Sequence, residues 1–129
     1  MATWNDVKGF LKSGINAQEV NNGNGVSAEI KYSDGRSQVV SVFKAEYKGA
    51  EWIDIVSGVG ALSAEGLNVA LEALFHATCG GLIKVGDNHA VRHCIPIADL
   101  SNEEIIGPLT IVAETADLIE EKLVGGDKF

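Results

Sequence analysis

The stretch Val26-Ser27-Ala28-Glu29-Ile30-Lys31-Tyr32-Ser33-Asp34-Gly35-Arg36-Ser37-Gln38-Val39-Val40-Ser41-Val42-Phe43 decides the fold. Val26, Ala28, Ile30 and Tyr32 alternate against Ser27, Glu29 and Lys31, the period of two that marks a strand with one buried face. Asp34-Gly35 supplies the positive φ angles of a tight hairpin, and the chain returns as a second strand from Arg36 to Tyr47. A two-residue turn there predicts that Ile30 faces Val39 and Val26 faces Phe43. Lys48-Gly49 marks another reversal, into Trp52-Ile53-Asp54-Ile55-Val56, so three antiparallel strands follow in series. The third strand's register stays open by one residue, and such a slip exchanges its faces. With Ile53 and Ile55 joining Phe43 on the core side, Val40, Val42, Trp52 and Val56 form an apolar group on the other side. These four are the expected partner-binding residues, because an exposed apolar group of that size calls for a partner.

Outward from the hairpin, the period changes to that of helices. Trp4, Val7, Phe10 and Leu11 recur at helical spacing with Asp6, Lys8 and Lys12 between them, predicting a short amphipathic helix that ends near Gly14. Ser63 is the expected N-cap of a second helix whose stripe is Leu67, Ala70, Leu71, Leu74 and Phe75, with Gly80-Gly81 as its stop. Residues 82–86 and 90–97 flank Asp87-Asn88 as another hairpin, in which Val91, Ile95 and Ile97 alternate against Arg92 and Cys94. Ser101-Asn102-Glu103-Glu104 has the pattern of a capping box. Beyond it, Ile105, Leu109, Val112, Ala116, Ile119 and Leu123 make one continuous stripe, and Pro108 predicts a kink or break. The order α-β-β-β-α-β-β-α predicts one α+β domain over residues 1–129, a two-layer fold in which an antiparallel sheet of about five strands packs with three helices.

The chain has 129 residues, 46% of them apolar, enough for one core and too few for a second domain. Its net charge of −8 argues against nucleic acid as a partner, since duplex binding needs clustered cations. No apolar run approaches the length of a membrane span, and the start, Met1-Ala2-Thr3-Trp4-Asn5-Asp6, lacks a basic segment followed by an apolar one. Two cysteines, Cys79 and Cys94, are too few for a disulfide framework. A cytoplasmic protein without membrane attachment is the expectation. The acidity is uneven: residues 1–98 hold ten acids and eight bases, residues 99–129 eight acids and two bases. It is expected on the solvent face and caps of the last helix.

Candidate chemistry is thin. His76, Cys79, His89, His93 and Cys94 lie within nineteen residues, but they form no C-x-x-C or H-E-x-x-H, and adjacent His93 and Cys94 point to opposite faces of a strand. No metal or cofactor is expected. The glycine-rich Ser57-Gly58-Val59-Gly60-Ala61-Leu62-Ser63 lacks the third glycine of a dinucleotide loop and the G-K-[ST] of a P-loop, so it is expected to be a strand-to-helix turn. No G-x-S-x-G elbow is present. Glu103-Glu104 and Glu120-Glu121 are expected on an exposed helix face as solvated charge, and Arg36 and Arg92 in salt bridges. No catalytic residue is assigned.

The order of elements resembles the class I type III secretion chaperone fold, and the sequence is similar to the YbjN-like bacterial sensory-transduction regulators of the same superfamily. The matching segments are Gly35-Arg36-Ser37-Gln38-Val39-Val40, Ile55-Val56-Ser57-Gly58-Val59-Gly60, Val91-Arg92-His93-Cys94-Ile95-Pro96-Ile97, Val112-Ala113-Glu114-Thr115-Ala116-Asp117-Leu118-Ile119-Glu120 and Gly125-Gly126-Asp127. The resemblance implies a homodimer that is not an enzyme and that binds a client or regulatory polypeptide. The alternative from another class is a small-molecule-binding regulator or enzyme with a pocket near Arg36, Arg92 and His93.

Overall fold

The computed structural model describes residues 3–124, so the Gly125-Gly126-Asp127 segment lies outside the described residues. The chain runs α1 (Trp4–Gly14), β1 (Gln18–Val20), β2 (Gly25–Lys31), β3 (Ser37–Tyr47), β4 (Ala50–Gly60), α2 (Ala64–Phe75), β5 (Gly81–Val85), β6 (Asn88–Pro96) and α3 (Asn102–Val124). This is the expected α+β layout, with six strands instead of about five. The added strand is three-residue β1, too short to show a period in sequence. Every pairing is antiparallel, in the order β1-β2-β3-β4-β6-β5.

The long strands β3 and β4 form the middle of the sheet, and α3 crosses them on one face with α1 and α2 beside it. Ile105, Leu109, Val112, Ala116 and Ile119 are buried and Leu123 packs on the same core, so the stripe read from the sequence is the docking face of α3. The capping box forms: Glu104 N–H donates to Ser101 Oγ at 3.2 Å, and Ser101 N–H to Glu104 Oε1 at 3.0 Å. The helix continues through Pro108 without the expected break. Its packed stripe on either side outweighs the one backbone bond that proline cannot make to Glu104. Thr3 and Asp6 build a second capping box at the start of α1.

The α2 stripe differs from expectation. Gly66, Ala70 and Ala73 are buried, while Leu71 and Phe75 are exposed. Small residues let α2 come close to α3, a side chain of which, Leu123, lies 3.4 Å from where a Gly66 Cβ would stand, and the bulkier residues are left on the flank.

The decisive difference is in the first hairpin. Tyr32 N–H donates to Arg36 O at 2.8 Å and Gly35 N–H to Tyr32 O at 3.1 Å. Gly35 alone in this loop has positive φ, 88°. That geometry is a three-residue loop, Ser33-Asp34-Gly35, in which a β-turn is followed by a glycine bulge; a two-residue type I′ turn would need positive φ at Asp34 as well. The extra residue moves the register by one: Val26 pairs with Val42, Ala28 with Val40 and Ile30 with Gln38. Every side chain of β3 therefore lies on the opposite face from the one expected. Val40 and Val42 sit in the core beside Ile53 and Ile55, and Phe43 and Val39 face outward. The second hairpin turns on Gly86-Asp87, one residue earlier than expected, with Val85 opposite Asn88.

Beneath the first hairpin loop, the Tyr32 hydroxyl is enclosed without a hydrogen-bond partner. Burial, followed by the nearby charges of Asp117, Glu114 and Asp34, pushes its pKa up to about 12 from 10.0. The folded state thus holds the phenol proton more tightly than the unfolded chain. This contribution to stability is fully present below pH 10 and is lost as pH rises through about 12. Tyr32→Phe removes an unsatisfied group and the titration together. It is expected to melt no lower than wild type at neutral pH and to lose less melting temperature above pH 10, as checked by thermal denaturation across that range; a parallel decline of the two proteins would refute the assignment.

Candidate interface on the uncovered sheet face

Antiparallel pairing puts directly opposed residues on one side of a sheet. The side away from the helices therefore carries Ser27 and Glu29 of β2, Val39, Ser41, Phe43 and Ala45 of β3, and Trp52, Asp54 and Val56 of β4, continued by Ala90, Arg92 and Cys94 of β6 and Ile83 and Val85 of β5. No described helix covers it. Val39 is 55% exposed and Val85 63%, and Phe43, Trp52 and Val56 are half-buried against one another's strands.

Local chemistry shapes this face. The Phe43 ring lies over Gly25: a Cβ added there would stand 2.6 Å from Phe43 Cδ1, so only glycine leaves the ring its place. Ser27 and Ser41 hydrogen-bond across the strands. Arg92 Nε donates to Asp54 Oδ1 at 2.8 Å, and the Cys94 thiol lies 3.6 Å from the same oxygen. Burial and then the Asp54 charge push the Cys94 thiol up, and burial does the same to Cys79, so neither is prepared as a nucleophile. The face's charged side chains, Glu29, Lys31, Asp54 and Arg92, cancel in two pairs, Lys31–Glu29 at 3.9 Å and Arg92–Asp54 at 2.8 Å.

Of the four expected partner-binding residues, Trp52 and Val56 are on this face. Val40 and Val42 are not: they are 1% and 2% exposed beneath the helices, moved there by the three-residue turn. Phe43 and Val39 take their places. The cross-strand match of Ser27 with Ser41, and of Ala28 with Val40, was the signal in the sequence for that register.

The three residues expected to share a pocket do not converge. Arg36 reaches Asp117 of α3 at 3.0 Å, Arg92 lies on the uncovered face, and His93 stands opposite Ile55 on the helix-covered face. Both arginines are in salt bridges, as expected, and His93 and Cys94 do point to opposite faces. Glu120, expected in solvent, is buried at 6% exposure. The turn of α3 that carries Ala116 inward brings Glu120 in four residues later. His89 is also buried, and its Nδ1 accepts the Leu62 N–H at 3.2 Å, fixing the turn that leads into α2. Among the described residues, no group of three His, Cys, Asp or Glu side chains is placed to hold a metal ion, and no helix is long and apolar enough to cross a membrane. No protein-family model matches this chain and no curated protein matches it, so its function is argued from the surface itself.

Proposed function

We propose that the chain is a non-enzymatic, chaperone-like or regulatory protein of the cytoplasm that binds polypeptide through its uncovered sheet face, and that the first polypeptide it binds there is a second copy of itself. The observation that carries this is the neutral, aromatic-bearing face of β3, β4 and β6 on a chain of net charge −8.

Charge argues for the second copy. Two chains of −8 repel wherever their acidic surfaces meet, and six of the eight excess charges belong to residues 99–129, the segment that carries α3 on the far side of the sheet. Sheets stacked face to face lie about 10 Å apart with helices about 10 Å further out on each side, so the two α3 helices would stand about 30 Å apart, well beyond a Debye length of about 8 Å. Size agrees as well. Eleven-residue β3 and β4 and their neighbours make a face of roughly 700 Å², against about 800 Å² per partner in a stable complex. Trp52 and Arg92 are residue types that dominate binding energy at interface centres, and Phe43 is of a type enriched in interface cores.

The test is the mass in solution by light scattering. Wild type is expected to be a dimer, and Val56→Asp, which puts a carboxylate that a stacked sheet would strip of water at the centre of the face without entering the core, a folded monomer. A monomeric wild type, or a Val56→Asp protein that stays dimeric, would overturn the proposal.

A further inference from the structure

A second surface lies on the helix side of the molecule and does not depend on the proposed interface. α3 turns Ile105, Leu109, Val112, Ala116 and Ile119 into the core. Ile111, Glu114 and Leu118, at spacings of three and four, follow one another along its opposite flank. They form one wall of a groove of about 270 Å³, and Ala73, His76 and Ala77, at and just beyond the end of α2, form the other. Phe75 extends the apolar surface past the groove: its ring meets that of His76 edge-on, with centroids 5.1 Å apart. Phe75 is 82% exposed and Leu118 41%, two of the largest apolar side chains that the described fold leaves in water.

The rim of this groove is acidic. Glu114 stands within it, exposed Glu72 lies one turn before His76 on α2, and exposed Glu121 lies one turn beyond Leu118 on α3. Glu114, Leu118 and Glu121 also line a neighbouring cavity of about 380 Å³, together with Asp34 and Asp117. No lysine or arginine lines either cavity among the described residues. The two helices carry eight carboxylates between them and one base, Lys122. Arg36 bonds Asp117 and lies 3.9 Å from Glu121, yet this region stays negative: after burial, it is the charges of Asp117, Glu114 and Asp34 that hold the proton on Tyr32.

An apolar strip with a rim of carboxylates fits a partner of the opposite charge pattern. A second copy is the poorer occupant, because it carries a net charge of −8, and Lys8 and Lys12 of its α1 are taken by Glu19 at 3.2 and 2.6 Å. The anchors on the α3 wall recur once per turn, about 5.4 Å, which is the repeat that a helix lying alongside also presents. We propose that the α2–α3 groove docks a basic amphipathic helix of another protein, with its apolar stripe on Ile111, Leu118 and Phe75 and its cations toward Glu72, Glu114 and Glu121.

Fluorescence anisotropy with a labelled probe peptide, two copies of Lys-Leu-Ala-Lys-Leu-Ala-Lys in series, tests this on the full chain. Saturable one-to-one binding is expected, and its absence at about 1 mM protein would overturn the proposal. Replacing every Lys of the peptide by Glu, or every Leu by Ser, is expected to weaken binding at least about tenfold, and a peptide that binds as well after either change refutes the pairing of charge with an apolar stripe. On the protein, Leu118→Ser and Glu114→Lys are each expected to weaken binding about fivefold or more. Leu71→Ser and Glu103→Lys, which alter equally accessible positions away from the groove, are expected to change it less than about twofold. All four positions are exposed, so the fold tolerates the changes. Equal weakening at the groove and away from it would mean diffuse attraction to an acidic surface and would overturn the proposal. Binding that survives Val56→Asp supports a site distinct from the sheet face, whereas binding lost in that variant would move the peptide to that face and refute the groove. A lower mass of Leu118→Ser than of wild type by light scattering would give the groove to a second copy, which also overturns the proposal.

Discussion

Val42→Asp is expected to unfold the protein, and Val56→Asp, the same change fourteen residues later, to leave it folded. Val42 is 2% exposed and stands between Val26 of β2 and Ile55 of β4, both buried. Aspartate there has no partner within the apolar layer, and an unpaired buried carboxylate costs several kcal/mol even after the site relaxes or the group takes up a proton. Domains of this size have about 5–15 kcal/mol of total stability. Loss of the cooperative urea transition, or a fall of more than about 4 kcal/mol in unfolding free energy, is the expected result. Val56 pairs with Ser41 and Arg92 on the uncovered face, where a new carboxylate keeps its water and lies near a cation. Its urea midpoint is expected to stay close to that of wild type measured at a concentration low enough to dissociate the dimer. Wild-type stability for Val42→Asp would place Val42 on the outer face and restore the two-residue turn.

That contrast rests on a feature the sequence left ambiguous. Val39-Val40-Ser41-Val42-Phe43 is apolar on both of its faces, so alternation within β3 alone cannot choose between them. Asp34-Gly35 fits a two-residue turn as well as a three-residue one, and the two differ by one register position. Only the pairing partners decide: the observed register sets Ser27 against Ser41 and Ala28 against Val40, whereas the alternative would bury Ser41 opposite Ala28. The misplacement of Val40 and Val42 thus came from one turn residue. Trp52 and Val56 lie on the expected face because Ile53 and Ile55 are buried, one of the two alternatives that the register of this strand had left open.

Elements with a strong period and local chemistry were legible in full. The α3 stripe and its Ser101–Glu104 box need only residues within one helix. The failures share a dependence on distant partners. Leu71 and Phe75 look like core in the sequence of α2, but it is the close approach to α3 through Gly66, Ala70 and Ala73 that leaves them outside. Glu120 reads as a solvated charge on an exposed helix face, yet it is buried. A charge within an acidic helix gives no sign of burial when the cause of that burial lies eighty residues away.

The Arg36–Asp117 pair is the second place where a large effect is expected, and it bears on the same register. Arg36 Nη2 and Nε lie 3.0 and 3.2 Å from Asp117 Oδ1, and Nη2 also donates to the Asp117 carbonyl at 3.3 Å. The two side chains are 9% and 15% exposed. Removing one partner leaves the other charge poorly solvated, so Arg36→Met and Asp117→Leu are each expected to cost about 2–4 kcal/mol by urea denaturation. The double variant is expected to cost at least about 1.5 kcal/mol less than the sum, because neither charge of the pair is left without the other. Strict additivity would show that the pair does not couple the hairpin to α3. Register explains why an ion pair is useful at this spot. With the three-residue turn, Arg36 shares a face with Gln38, Val40 and Val42 and points at α3; with a two-residue turn it would point to the uncovered side and leave Asp117 alone under the helix. The pair therefore penalises the slipped register by the cost of stranding Asp117, where apolar alternation in β3 penalises it hardly at all. By holding Arg36 inward it keeps Val39 and Phe43 outward, so the double variant, although close to neutral in charge cost, is expected to exchange its β2–β3 amides faster than wild type in hydrogen–deuterium measurements; unchanged protection would assign register control to the turn alone.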